Sequence, residues 1–146
     1  MSCPATNDGG LEERIMQIRR RDRRFSCNAY YFVLDALDHT IMTLGRERHS
    51  GESRHVGGRE LLDGIRQMAG EQFGPMAPVV FHQWGVASTE DFGEIVFNLI
   101  DGGLLSRRSE DSRLDFCDGY DFDRVFDQMF QDRLTALRQS QGQSQS

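Results

Sequence analysis

Ser88 to Leu105, STEDFGEIVFNLIDGGLL, organises the residues on either side of it. Ser88-Thr89-Glu90-Asp91 resembles a capping box with Asp in place of the usual Glu, which starts a helix at about 89. Phe92, Ile95, Val96, Leu99 and Ile100 recur at helical spacing, and Gly102-Gly103 ends that helix at about 101. After Leu104-Leu105-Ser106-Arg107 and a polar turn, Arg113-Leu114-Asp115-Phe116-Cys117 alternates apolar and polar residues, the pattern of a half-buried hairpin strand. Upstream, Leu61, Leu62, Ile65, Met68, Ala69 and Phe73 mark a helix over 58–73 that Gly74-Pro75 stops, and a short helix follows over 76–84. Helix, short helix, tight turn, helix and hairpin is the succession of a winged helix. The expected fold class is therefore mainly α with one small β-hairpin (α+β), with about six helices and a winged-helix-like centre.

The flanking segments complete the count. Asn7 or Asp8 can cap a helix over 11–24, where Leu11, Ile15 and Ile18 share a face. A second helix over 27–44 carries Tyr30, Val33, Leu34, Leu37, Ile41 and Leu44 as one stripe, and Gly45 supplies a left-handed cap. Residues 45–58 are polar and Gly-rich, which predicts a mobile loop. Gly64 and Gly70 inside the 58–73 helix imply that another backbone approaches closely there. The last helix, over 121–138, places Phe122, Val125, Phe126, Met129, Phe130 and Leu137 on one side. The domain plan is a flexible N-terminus over 1–10, one globular domain over 11–138 and a disordered tail over 139–146.

Composition excludes several chemistries. All 17 basic side chains are Arg. Without a lysine amine there is no Schiff-base or pyridoxal-phosphate chemistry, no P-loop and no protein kinase. Three cysteines, Cys3, Cys27 and Cys117, are odd in number and far apart, which points to free thiols in a reducing, cytoplasmic setting. No apolar run approaches the ~18 residues of a membrane span, and no signal peptide is expected. No nucleophile–base pair, metal-ligand pattern or cofactor motif can be named, so no catalytic, cofactor or metal residues are assigned, and a non-catalytic role is favoured without excluding an enzyme.

Several stretches resemble a small uncharacterised bacterial family. They are Arg54 to Leu62 (RHVGGRELL), Gln72 to Ala77 (QFGPMA), Trp84-Gly85-Val86, Thr89 to Leu99 (TEDFGEIVFNL), Glu110 to Phe116 and Gly119 to Phe122. The resemblance spans about residues 11–130 and implies a domain of unknown function. It assigns no activity, cofactor or site residue.

Charge is unevenly divided. Residues 1–60 hold 10 Arg and 9 acids (+1), whereas 61–146 hold 7 Arg and 14 acids (−7). Arg19, Arg20, Arg21, Arg23 and Arg24 are the candidate phosphate contacts, with Arg107 and Arg108 (and Arg113) at the expected wing. The alternative for these arginines is pairing with the helix C-terminus and with acids of the second half. The helix over 89–101 carries Glu90, Asp91, Glu94 and Asp101 without a basic residue, which disfavours it as a major-groove reader. Asn98 is its one good base-reading side chain. Phe97 falls off the inward stripe, so Phe97, Glu90 and Glu94 are the candidate protein-contact surface. Trp84, with Phe73, Phe81 and Phe97, is either an exposed aromatic patch or, as the favoured reading, core.

Asp115, Asp118, Asp121, Asp123 and Asp127 miss the EF-hand spacing, and Asp121 reads better as an N-cap. His49 and His55 share the 45–58 loop with Glu47 and Glu52, and a hydrogen bond to Asp35 accounts for His39. The function expected is a non-catalytic cytoplasmic interaction or regulatory module, contacting a protein partner or itself. A nucleic-acid-binding protein using Arg19–Arg24 and the wing is the alternative, and a small enzyme with a site around the 45–58 loop, His49 and His55 included, is the third reading.

Overall fold

The computed structural model describes residues 10–46 and 55–143. Among these there are six α-helices: α1 (Leu11–Arg21), α2 (Cys27–Thr43), α3 (Gly58–Phe73), α4 (Ala77–Gln83), α5 (Thr89–Asp101) and α6 (Phe122–Gln143). Short 3₁₀ turns at Gly74–Met76 and Arg113–Phe116 complete the set. The α2, α3 and α5 bounds follow the sequence pattern closely. The expected caps Asn7 and Asp8 lie outside the described residues. α6 continues past 138 to Gln143, into the segment expected to be disordered.

No β-sheet occurs among the described residues, so the expected hairpin is wrong and the fold class is all-α. The reason is local. Leu104 and Leu105 follow α5 directly into the core, 1% and 3% exposed, with both backbone N–H groups donating to Leu99 O. Ser112 Oγ then accepts the Leu114 N–H, and Asp115 accepts the Ser112 N–H, a reciprocal cap that winds 113–116 into a 3₁₀ turn. The apparent alternation does not mark one buried face, because Leu114 points out at 74% exposed and Phe116 points in at 2%. Without a hairpin there is no wing. The winged-helix expectation falls with it.

α5 runs through the middle of the molecule, burying Phe92, Ile95, Val96, Phe97 and Leu99. Its Gly93 is where Phe116 seats, since a Cβ there would lie 2.9 Å from Phe116 Cβ. α4 is short, but Phe81 on it is the hub of an aromatic cluster. Its ring centroid lies 5.1 Å from Phe92 and from Phe122, 5.7 Å from Phe126, 5.8 Å from Trp84 and 5.9 Å from Phe32. Burial of such rings and their edge-to-face contacts is the main source of stability here. Trp84, Phe73 and Phe81 thus belong to the core and its margin, as their spacing implied.

At Gly64 a Cβ would collide with Thr40 Oγ1 of α2, whose hydroxyl donates to Ala36 O at 2.7 Å, so the close neighbour is a side chain, with the Ala36 backbone O next at 3.5 Å. At Gly70 the neighbour is the Met129 side chain of α6, not a backbone. Gly45 (φ +69°) caps α2 as foreseen, with the Arg46 N–H returning to Ile41 O at 2.9 Å.

Candidate functional site

A polar cavity of about 550 Å³ lies at the N-terminus of α3, where residues 55–60 meet 108–115. Gly57 caps the helix without a side chain, so Glu60 at the third helical position turns back to accept the Gly57 N–H at 3.0 Å. The same Glu60 Oε1 accepts from Arg46 Nη1 at 3.1 Å, and that nitrogen also donates to His55 O at 2.9 Å. Opposite, the Asp111 carboxylate accepts from His55 Nε2 at 2.9 Å and from the Arg108 N–H at 2.8 Å. An ionised carboxylate can only accept, so the proton of the imidazole sits on Nε2. The His55 and Asp111 side chains are 8% and 10% exposed, which shields the pair from water.

The titration directions follow from these contacts. Burial pushes both Glu60 and Asp111 up, but their hydrogen bonds outweigh it. The Gly57 N–H and Arg46 hold Glu60 below the usual carboxylate value, and the Arg108 N–H and His55 do the same for Asp111. A carboxylate stabilised as the anion is a weak base and a poor acid near neutrality. Arg59 closes the cavity by donating to Cys117 O at 2.8 Å. The cavity is therefore a clamp between the start of α3 and the segment before the 3₁₀ turn. Sequence reasoning took His55 only with His49, which lies outside the described residues, and did not nominate Asp111, Arg46 or Glu60. A signal was present: Gly57-Gly58 followed by Glu60 at a helix start is a capping pattern.

The two arginine groups nominated as phosphate contacts have different fates. Arg107 and Arg113 both lie over one ring, their guanidinium carbons 5.3 and 4.5 Å from the Phe97 centroid. Arg113 Nε also reaches Glu94 Oε1 at 3.4 Å, and Arg107 Nη2 donates to Asp111 O at 3.1 Å. Arg108 supplies its backbone N–H to Asp111. The expected contact surface is corrected by the same geometry: Phe97 is 4% exposed and is covered by these two arginines. Glu94 is engaged by Arg113 and Arg24, and Glu90 Oε1 accepts the Asp118 N–H at 2.8 Å. Asn98 is equally occupied, its amide donating to Asp22 Oδ2 and to Tyr30 Oη.

In the first cluster, Arg24 Nη2 pairs with Asp22 at 2.6 Å and contacts Glu94 at 3.5 Å, which holds the Asp22 carboxyl far below its ordinary range. Asp22 thereby stops α1 at Arg21, short of the expected end at 24. Arg19 Nε donates to Phe25 O at 3.1 Å. Arg20, Arg21 and Arg23 are exposed and have no carboxylate partner among the described residues. Arg19, Arg20 and Arg23 wall an open groove of about 420 Å³ with Met16 and Cys27, and no acid among the described residues lines it. From Arg14 to Arg24 six Arg stand against Asp22 alone, +5, so the rest of this −6 chain carries −11.

A third concavity, about 340 Å³ and mostly apolar, lies between α4 and the start of α6, with Asp123 at its edge. Asp121 caps α6 as foreseen, its carboxylate accepting the Arg124 N–H at 3.0 Å. His39 Nε2 is buried without a hydrogen-bond partner among the described residues, so that nitrogen does not make the expected bond to Asp35. No group of three His, Cys, Asp or Glu converges on a metal position among the described residues. No described helix is long and apolar enough to cross a membrane. The chain matches no protein-family model, and no curated protein or solved structure is significantly similar to it.

Proposed function

We propose that this chain is a non-catalytic interaction module that receives an acidic protein segment on the arginine face at the end of α1. One observation carries the reading: Arg20 and Arg23, exposed and without acid partners, flank Met16, itself 48% exposed, on an otherwise strongly acidic molecule. An apolar centre inside a charged rim is the anatomy of a protein-docking patch. The polar cavity supports the same reading from the other side, since its histidine is engaged with Asp111 and its Glu60 with Arg46, and both carboxylates are held below their ordinary range. Cys27 and Cys117 are free thiols, which suits a reducing, cytoplasmic setting.

A nucleic-acid partner fits less well. α5 is buried in the core, the arginines at 107–113 are engaged with Phe97, Glu94 and Asp111, and no aromatic ring lines the α1 groove for base stacking. The test is fluorescence anisotropy with a labelled Glu/Asp-rich peptide and a labelled single-stranded oligonucleotide, each at low and physiological salt. Salt-sensitive peptide binding that is lost in Arg19→Gln/Arg20→Gln/Arg23→Gln supports the reading. Tighter binding of the oligonucleotide than of the peptide would replace it with the nucleic-acid one.

A further inference from the structure

On that reading of the α1 face, we infer that its acidic partner is a second copy of this chain, which offers the groove between α4 and α6. The two surfaces are complementary in both charge and apolar content. The α1 face presents an exposed methionine inside arginines, +5 over residues 14–24. The α4–α6 groove presents Pro78 and Val79 over a floor of buried Val86 and Phe122, with Asp123 at the rim, and Val79 is 51% exposed. Asp123 is followed one turn later by Asp127. From Asp118 to Asp127 four Asp stand against Arg124 alone, −3, and none of the four has a guanidinium partner among the described residues.

Each face explains what the other leaves open. Arginines left without internal acids and aspartates left without internal bases are solvated separately in one molecule, and joining copies pairs them. Methionine is unbranched and adapts to irregular apolar hollows, so Met16 suits a groove walled by Val79 and floored by Val86. The contact joins two different faces, so a closed two-fold dimer contains it twice and an unclosed one propagates. Electrostatic attraction between partly exposed faces also makes the association weaken with salt.

The experiment is sedimentation velocity of the full chain over a concentration series at about 50 and 500 mM salt, with two charge-reversed variants. One is Arg20→Asp/Arg23→Asp and the other is Asp123→Arg/Asp127→Arg, each checked by circular dichroism. If the second pair unfolds, Asp127→Arg alone replaces it, because Asp127 is exposed and caps nothing. The inference expects the wild type to self-associate at low salt and each variant alone to be monomeric. An equimolar mixture of the two variants should re-form the complex, because both contacts are then between opposite charges again. A wild type that is monomeric throughout, or a mixture that stays monomeric, overturns the inference. If that monomer still binds the acidic peptide at α1, only the identity of the partner is wrong. If it binds neither, the docking face itself is wrong.

Discussion

Arg19–Arg24 and Arg107–Arg113 are both arginine-rich runs following a helix, yet the fold uses them in opposite ways. The second run is folded onto Phe97, Glu94 and Asp111 and becomes part of the structure. In the first, only Arg24 finds carboxylates and Arg19 a carbonyl, while Arg20 and Arg23 stand over an open groove. The difference teaches that the availability of a cation is decided by the acids and rings that distant segments bring to it. Phe97 is the deciding residue in this molecule: it turns two arginines from ligands into cover.

The sharpest way to break that contrast is to remove the ring. Phe97→Ala should destabilise the protein by about 3–5 kcal/mol in urea denaturation, since it deletes a core side chain and the support of both guanidiniums. A cost below about 1 kcal/mol would show that the ring is not the keystone of that corner.

Asp111→Ala comes next. It leaves a shielded imidazole without its acceptor and should cost about 2–4 kcal/mol. The same carboxylate sets an acid limit. Glu60 and Asp111 titrate below their ordinary values when folded, so their contribution is complete above about pH 5 and is lost as pH falls through the lower folded-state values. Thermal melts between pH 7 and pH 2.5 should therefore fall more steeply for the wild type than for Asp111→Asn. Parallel curves would remove Asp111 from that role.

How much of this was legible in sequence depends on the range of the interaction. Helices set by local spacing and stop signals, such as Cys27–Thr43 with Gly45, or Thr89–Asp101, could be read directly. The hairpin could not be told from a capped 3₁₀ turn by alternation alone. Ser112 and Asp115 decided it, and an S-x-x-D cap was there to be seen. The off-stripe position of Phe97 was read correctly and interpreted wrongly, because its cover arrives from Arg107 and Arg113. The His55–Asp111 pair joins residues 56 positions apart, so no local pattern announces it.

Smaller effects separate the two arginine runs directly. Arg113→Ala should cost only about 1 kcal/mol, as its ion pair with Glu94 is partly exposed and its stacking on Phe97 carries the rest. Arg20→Gln and Arg23→Gln should each change stability by less than about 0.5 kcal/mol, because neither side chain has an internal acid to lose. A stability loss at Arg23 equal to that at Arg113 would mean that the α1 face is structural after all.

The most direct measurement follows melting temperature and acidic-peptide affinity together in two double variants. Arg20→Gln/Arg23→Gln should melt within about 2 °C of the wild type and lose peptide binding roughly tenfold or more. Arg107→Gln/Arg113→Gln should melt several degrees lower, about 4 °C or more, and bind the peptide as the wild type does. The reverse pattern, with binding lost at 107 and 113 and stability lost at 20 and 23, would contradict the account.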